Sequence, residues 1–186
     1  MQGIMAIFTG IGLSATCGFR IFVPLLGISV AHHTGYLDLS PGFEWIGSWP
    51  ATVAFAGAML LEIGAYYIPW IDNLLDSIAT PIAIVAGTIA TASMVGDISP
   101  FLRGSLAIIA GGGIAGVIQG SSVLTRGISA TTTGGIGNPL VSTGELLASI
   151  FGTLISVALP FVAIALVVLI IFLILWRFFR RRAKTP

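Results

Sequence analysis

Hydrophobic positions fall into five stretches, about Gly3–Ala31, Ala51–Tyr67, Pro81–Val95, Leu102–Leu124 and Leu140–Trp176, joined by short polar connections. A membrane-spanning helix needs about 20 residues to cross a core of roughly 30 Å. The middle three stretches each suit one crossing. The first is long, and the last, at about 37 residues, would measure roughly 55 Å as one helix. Both have natural breaks, at Cys17-Gly18 and Pro24 in the first and at Pro160 in the last. The first reads equally as a kinked helix or a re-entrant hairpin. The last reads as one long kinked helix, because no polar turn surrounds Pro160. Between Pro69 and Pro81, Trp70, Ile71, Leu74, Leu75 and Ile78 share one helical face, opposite Asp72, Asn73, Asp76, Ser77 and Thr80. This segment is expected to be a short amphipathic helix, on the surface or facing a polar cavity.

The pattern predicts an all-α, polytopic membrane helix bundle of about five to six transmembrane segments, with glycine/proline-broken or re-entrant helices. Composition agrees: 56% of residues are hydrophobic, 8% are charged and mean hydropathy is +1.05, against about 25% charged in soluble domains. Residues 1–176 form one integral membrane domain, and 177–186 a basic tail with Arg177, Arg180, Arg181, Arg182 and Lys184. Under the positive-inside rule that tail is cytoplasmic, held by anionic lipid headgroups. A nucleic-acid role is not expected of it. The 32–50 connection has Trp45 and Trp49 but no Lys or Arg, which favours the outer side. One crossing per stretch would place it inside instead. An extra re-entrant or split segment would reconcile the two cues.

Small residues at Gly10, Ser14 and Gly18, and at Gly112, Gly116 and Gly120, form faces for close helix packing. Two polar sets suggest an inverted repeat. In each, a glycine-broken segment with one Arg precedes a helix with one Glu: Arg20 then Glu62, and Arg126 then Glu145.

These four charges are the main candidates for chemistry. Arg20 is the sole charge between Met1 and Ala31, bracketed by Gly18 and Pro24. An ionisable group at membrane depth costs roughly 2.5–3.5 kcal/mol on insertion scales, so such residues usually serve binding or transport. The bland alternative is Arg–Glu bridging that fixes helix register. In the functional reading Arg20 and Arg126 hold an anion, since a guanidinium offers a planar fork of donors to carboxylate or phosphate. Glu62 and Glu145 would carry protons. Thr132, Thr133 and Asn138, in the loop-like run Thr131–Pro139, could cradle the same anion. Asp72, Asn73 and Asp76 could take a cation or orient a partner. His32-His33 and the single Cys17 read as packing, and no metal site or cofactor is expected. No metalloprotease helix, nucleophile elbow or dinucleotide fingerprint is present, so an enzyme is not expected.

Several runs carry a family resemblance: Gly12–Leu26 around Arg20, Trp45–Pro50, Leu61–Asp76, Ile109–Gly113 and Thr131–Pro139. Through them the chain resembles the uncharacterised bacterial integral-membrane family known as DUF4126. The resemblance implies an inner-membrane protein and supplies no substrate. The residues themselves point to a small transporter or flippase of an anionic substrate, a lipid phosphate or a small organic anion, perhaps proton-coupled. Membrane lipids are the expected partners, and a homo-oligomer is compatible with the small-residue faces. The alternative is a non-catalytic scaffold or assembly factor that docks a partner membrane protein.

Overall fold

A computed structural model describes residues 2–96 and 98–182, apart from the side chains of residues 2, 69, 70, 72, 73, 178, 179, 181 and 182. The first stretch breaks where glycine and the buried arginine meet. Helix α1 (Gln2–Cys17) closes with Gly18 and Phe19 N–H bonding to Ala15 and Thr16 carbonyls, and α2 starts at Phe22 and ends at His33. Pro24 falls in the first turn of α2, where a backbone N–H has no helical partner to lose. The remaining helices are α3 (Trp49–Ala65), α4 (Pro69–Met94), α5 (Pro100–Leu106), α6 (Gly113–Thr133), α7 (Asn138–Ala158) and α8 (Pro160–Arg182). A π-helical segment, Ala107–Gly112, joins α5 to α6, making one rod of 34 residues.

Contacts along α7 give the direction of the first two helices. Gly12 packs on Ser156, Thr16 on Gly152 and Thr153, and Arg20 reaches Ser142. So α1 runs antiparallel to α7. Gly27, in α2, returns to Thr153, and Ser40 beyond α2 bonds Ser93 and Ala92 at the end of α4. α1 and α2 therefore form a hairpin, with its tip at residues 18–21 inside the bundle. α2 then packs antiparallel to α3, with Phe22 level with Glu62 and Ser29 level with Thr52.

Five rods run between the hairpin's open end and its tip end: α3, α4, α5–α6, α7 and α8. Four contain stretches long and apolar enough to cross a membrane, Leu74–Met94, Pro100–Thr133, Asn138–Ala158 and Pro160–Arg177. Their outward faces carry Leu61, Ile109, Leu124, Leu154 and Phe172, all exposed. The inward face of α7 is polar, with Asn138, Ser142, Glu145, Ser149, Thr153 and Ser156 at helical spacing. That inversion suits lipid, where the apolar surface needs no cover and polar groups turn inward. The chain is a multi-pass membrane-spanning helical protein.

The axis of the bundle is α1, whose residues 9–17 are all buried. Small residues and hydroxyls let its neighbours approach. Thr91 donates to the Gly10 carbonyl at 3.1 Å, Ser14 donates to the Gly111 carbonyl, and Gly87 faces both Ser14 and Ala115.

Three sequence expectations change. Leu140–Trp176 is not one kinked helix: α7 and α8 reverse direction at Leu159–Pro160, with Ala163 of α8 against Gly12 and Val167 among Ile11, Ala15 and Ile118. Pro160 at the first helical position starts α8 and needs no polar loop. The segment after Pro69 is not a separate surface helix, because α4 continues through Pro81; neighbouring helices let a membrane helix tolerate proline. The proposed repeat pairs unlike elements, since Arg20 lies in a break between helices and Arg126 lies within α6. Of the basic tail, residues 183–186 lie outside the described residues.

A side chain at Gly87 would meet Ala115, Ser14 and the Gly111 carbonyl. Gly87→Ala should lower the stability of the folded protein in detergent by about 1–3 kcal/mol. Gly57→Ala, where the surroundings are open, should leave the thermal midpoint unchanged or raised. A Gly87→Ala midpoint equal to wild type would contradict the packing described.

Candidate functional site at the hairpin tip

Where the tip enters α2, the Ile21 and Phe22 N–H groups have no preceding turn to bond to, and a carboxylate accepts them. Glu62 of α3 accepts the Ile21 N–H at 2.8 Å and the Phe22 N–H at 3.1 Å, one on each oxygen. It caps the N-terminus of α2, where the helix dipole also favours negative charge. This fixes the peptide that carries Arg20.

The Arg20 side chain is only 1% exposed. Its Nη2 donates to the Ser142 carbonyl at 2.9 Å and lies 3.7 Å from Glu145 Oε2. Its guanidinium carbon sits 3.9 Å from the centre of the Tyr66 ring. Arg126, equally buried, approaches the same ring at 4.4 Å. Its Nη2 lies 2.9 Å from Asp76 Oδ1, and its Nε 3.6 Å from Glu145 Oε1. Ser122, one turn before Arg126, donates to Glu145 Oε1. Residues from the tip, α3, α4, α6 and α7 thus converge on one point.

Charge accounting follows. With Glu62 given to the α2 backbone, two guanidiniums face Asp76 and Glu145. Asp76 lies 2.9 Å from Arg126, whereas Glu145 stands near both arginines at longer range. Tyr66 adds a π face to each cation, worth about 2 kcal/mol or more when desolvated. Like charges can then lie near one another without all their compensation coming from carboxylates.

Two clefts flank this centre. One, of about 250 Å³ between α6, α7 and α8, is lined by Ser122 and Glu145. The other, of about 280 Å³ between α2, α3 and α4, is lined by Glu62 and Tyr66.

The sequence candidates divide. Arg20, Arg126, Glu62 and Glu145 come together, and Asp76 joins them instead of facing solvent or a partner. Arg20 approaches Glu145 from the other polar set, while Glu62 holds backbone. Thr132 and Thr133 do not form an anion cradle. They lie exposed in the last turn of α6, donating to the Ile128 and Ser129 carbonyls. Asn138 is buried at the start of α7. The side chains of Asp72 and Asn73 lie outside the described residues. His33 stacks on Trp49 and His32 packs on Gly47, at the open end. The sequence reading missed Tyr66, Ser122 and Ser142. Tyr66 follows Glu62 by one turn, and Ser142 precedes Glu145 by one turn, spacings that would have shown shared faces.

A family model described as a domain of unknown function (DUF4126) matches residues 7–180. The chain belongs to the DUF4126 family. Comparison with curated proteins and with solved structures gave no match. The DUF4126 match takes in every element that builds the centre, from α1 to α7.

Removing Glu62 leaves two buried N–H groups without an acceptor, at about 1–3 kcal/mol each. Glu62→Ala should therefore be strongly destabilised in a thermal or denaturant melt. Glu62→Gln keeps one acceptor oxygen and should lose less. Equal stability of the two variants would refute the capping role.

Proposed function

We propose that this DUF4126 protein is a transporter or flippase for an anionic substrate, with Arg20 and Arg126 as its binding groups. The observation that carries the reading is the bridging position of Glu145, 3.7 Å from one buried guanidinium and 3.6 Å from the other. Its carboxylate occupies the place an incoming anion would take. When Glu145 takes up a proton, the arginines lose a shared negative partner and gain affinity for a substrate anion. When it releases the proton, the anion is displaced. Anion and proton then move together. Glu62 holds the tip in place and carries no proton in this scheme.

A buried ion pair is a weak source of stability, because desolvation offsets its Coulomb energy. That favours a working role for the cluster. The scaffold alternative relied partly on Asp76 facing a partner, and Asp76 is engaged with Arg126.

The orientation we propose places the tip end, with Arg177 and Arg180, on the cytoplasmic side of a bacterial inner membrane. The 32–50 connection, free of Lys and Arg, is then outside. A re-entrant α1–α2 hairpin beside five crossings is the arrangement we propose, and it fits both the tryptophan and the basic-tail cues.

Native mass spectrometry of the purified protein tests the reading. Wild type should retain an anion that Arg20→Gln and Arg126→Gln lose by at least about tenfold in affinity, the equivalent of one charged hydrogen bond. Glu145→Gln, which removes the negative charge shared by the arginines, should retain the anion more tightly than wild type. Folded arginine variants that bind like wild type would end the proposal.

A further inference from the structure

We infer that the anion is the headgroup of a membrane lipid, and that it reaches the arginines sideways through the cleft between α6, α7 and α8. This inference rests on the assignment of Arg20 and Arg126 as anion-binding groups. Three features of the cleft carry it.

Its walls are apolar, including Ile118 from α6, Val141 from α7, and Ile170 and Ile174 from α8. Its polar lining includes Ser122 and Glu145, the carboxylate shared by the arginines. A soluble ion would have to cross this apolar wall without its hydration shell. A lipid carries the hydrocarbon that fills the space, so that chain and headgroup match wall and floor together.

The second feature is unmet bonding capacity. Arg20 is 1% exposed, and its Nε and Nη1 have no hydrogen-bond partner among the described residues. A buried donor without an acceptor costs about as much as a lost hydrogen bond. A phosphate oxygen is a suitable acceptor for either of these N–H groups.

The third is the poorer fit of the other openings. The α2/α3/α4 cleft exposes Glu62, but both oxygens of that carboxylate are committed to the tip backbone. The larger cleft at the open end, about 800 Å³, has Asp38 in its lining. The α6/α7/α8 cleft ends instead on Glu145, 3.7 Å and 3.6 Å from the two guanidiniums.

Full-length protein in nanodiscs of phosphatidylcholine with a minority of phosphatidic acid provides the test, read by native mass spectrometry. Gly144 lines the cleft, and a side chain there points into open space. Gly144→Leu should fill the cleft and leave the fold intact, as checked by its thermal midpoint. Ile174→Trp narrows the same opening from α8 if the first variant folds poorly. Wild type should retain phosphatidic acid in preference to phosphatidylcholine. Gly144→Leu and Arg20→Gln should each weaken that retention by about tenfold or more, a change equal to one charged contact. Loss in Arg20→Gln with full retention in both cleft variants would overturn the sideways route and leave the arginine assignment standing. Inorganic phosphate retained by wild type in place of lipid, and lost in Arg20→Gln, would overturn the lipid headgroup alone. Equal retention of both lipids by wild type and Arg20→Gln would overturn both readings.

Discussion

The two hydrogen bonds from Ile21 and Phe22 to Glu62 govern the site, because a chain that reverses among packed helices must still satisfy its amides. A buried N–H left without an acceptor costs about 1–3 kcal/mol. One carboxylate answers both amides at 2.8 and 3.1 Å. The reversal in turn holds Arg20 within the bundle, away from the aqueous ends where a long cationic side chain would otherwise extend. Gly18 contributes at the same place by lying against the Ala115 carbonyl and Ile118, a contact any Cβ would prevent. The tip is thus set by backbone bonding on one side and close packing on the other.

The ionic groups that meet at the tip differ in how firmly they are held. Arg126 and Asp76 form a direct contact of 2.9 Å. Glu145 is divided between two guanidiniums and accepts from Ser122. A carboxylate with several moderate partners can exchange one for another without losing them all. Tyr66 presents its ring to both cations, so the arginines keep favourable surroundings while Glu145 changes partner. The polar face of α7 extends the same environment toward the open end through Ser149 and Thr153, which bond to Thr16 of α1.

Much of this architecture could be read from residue order. A lone Arg20 between Gly18 and Pro24 marked a broken helix. The α7–α8 turn was hidden because Leu159 and Pro160 make it without a polar residue. Pro81 concealed the continuity of α4, since proline reads as a boundary when neighbouring helices are not known. The polar face of the Pro69–Thr80 segment was visible, but its direction was not. In a membrane protein such a face can look inward, as Asp76 does. Glu62 and Glu145 looked alike in sequence. Only the fold distinguishes a carboxylate that meets backbone amides from one that meets guanidiniums. Tyr66 is 3% exposed, with both guanidiniums near its ring.

The π-helical segment at Ala107–Gly112 has a further consequence. A wide turn holds one residue more than an α-helical turn of the same span, and so acts as an inserted residue. Gly111 and Gly112 lie there against Gly87, Thr88 and Thr91 of α4, which accommodates the wider backbone. At 3.6 residues per turn, each inserted residue rotates everything beyond it by about 100°. The segment therefore sets the rotational phase of α6. Arg126 lies fourteen residues past Gly112, so the direction of its guanidinium, toward Asp76 and Glu145, carries that added residue. A bulge on the far half of the rod aims the charge at the hairpin tip.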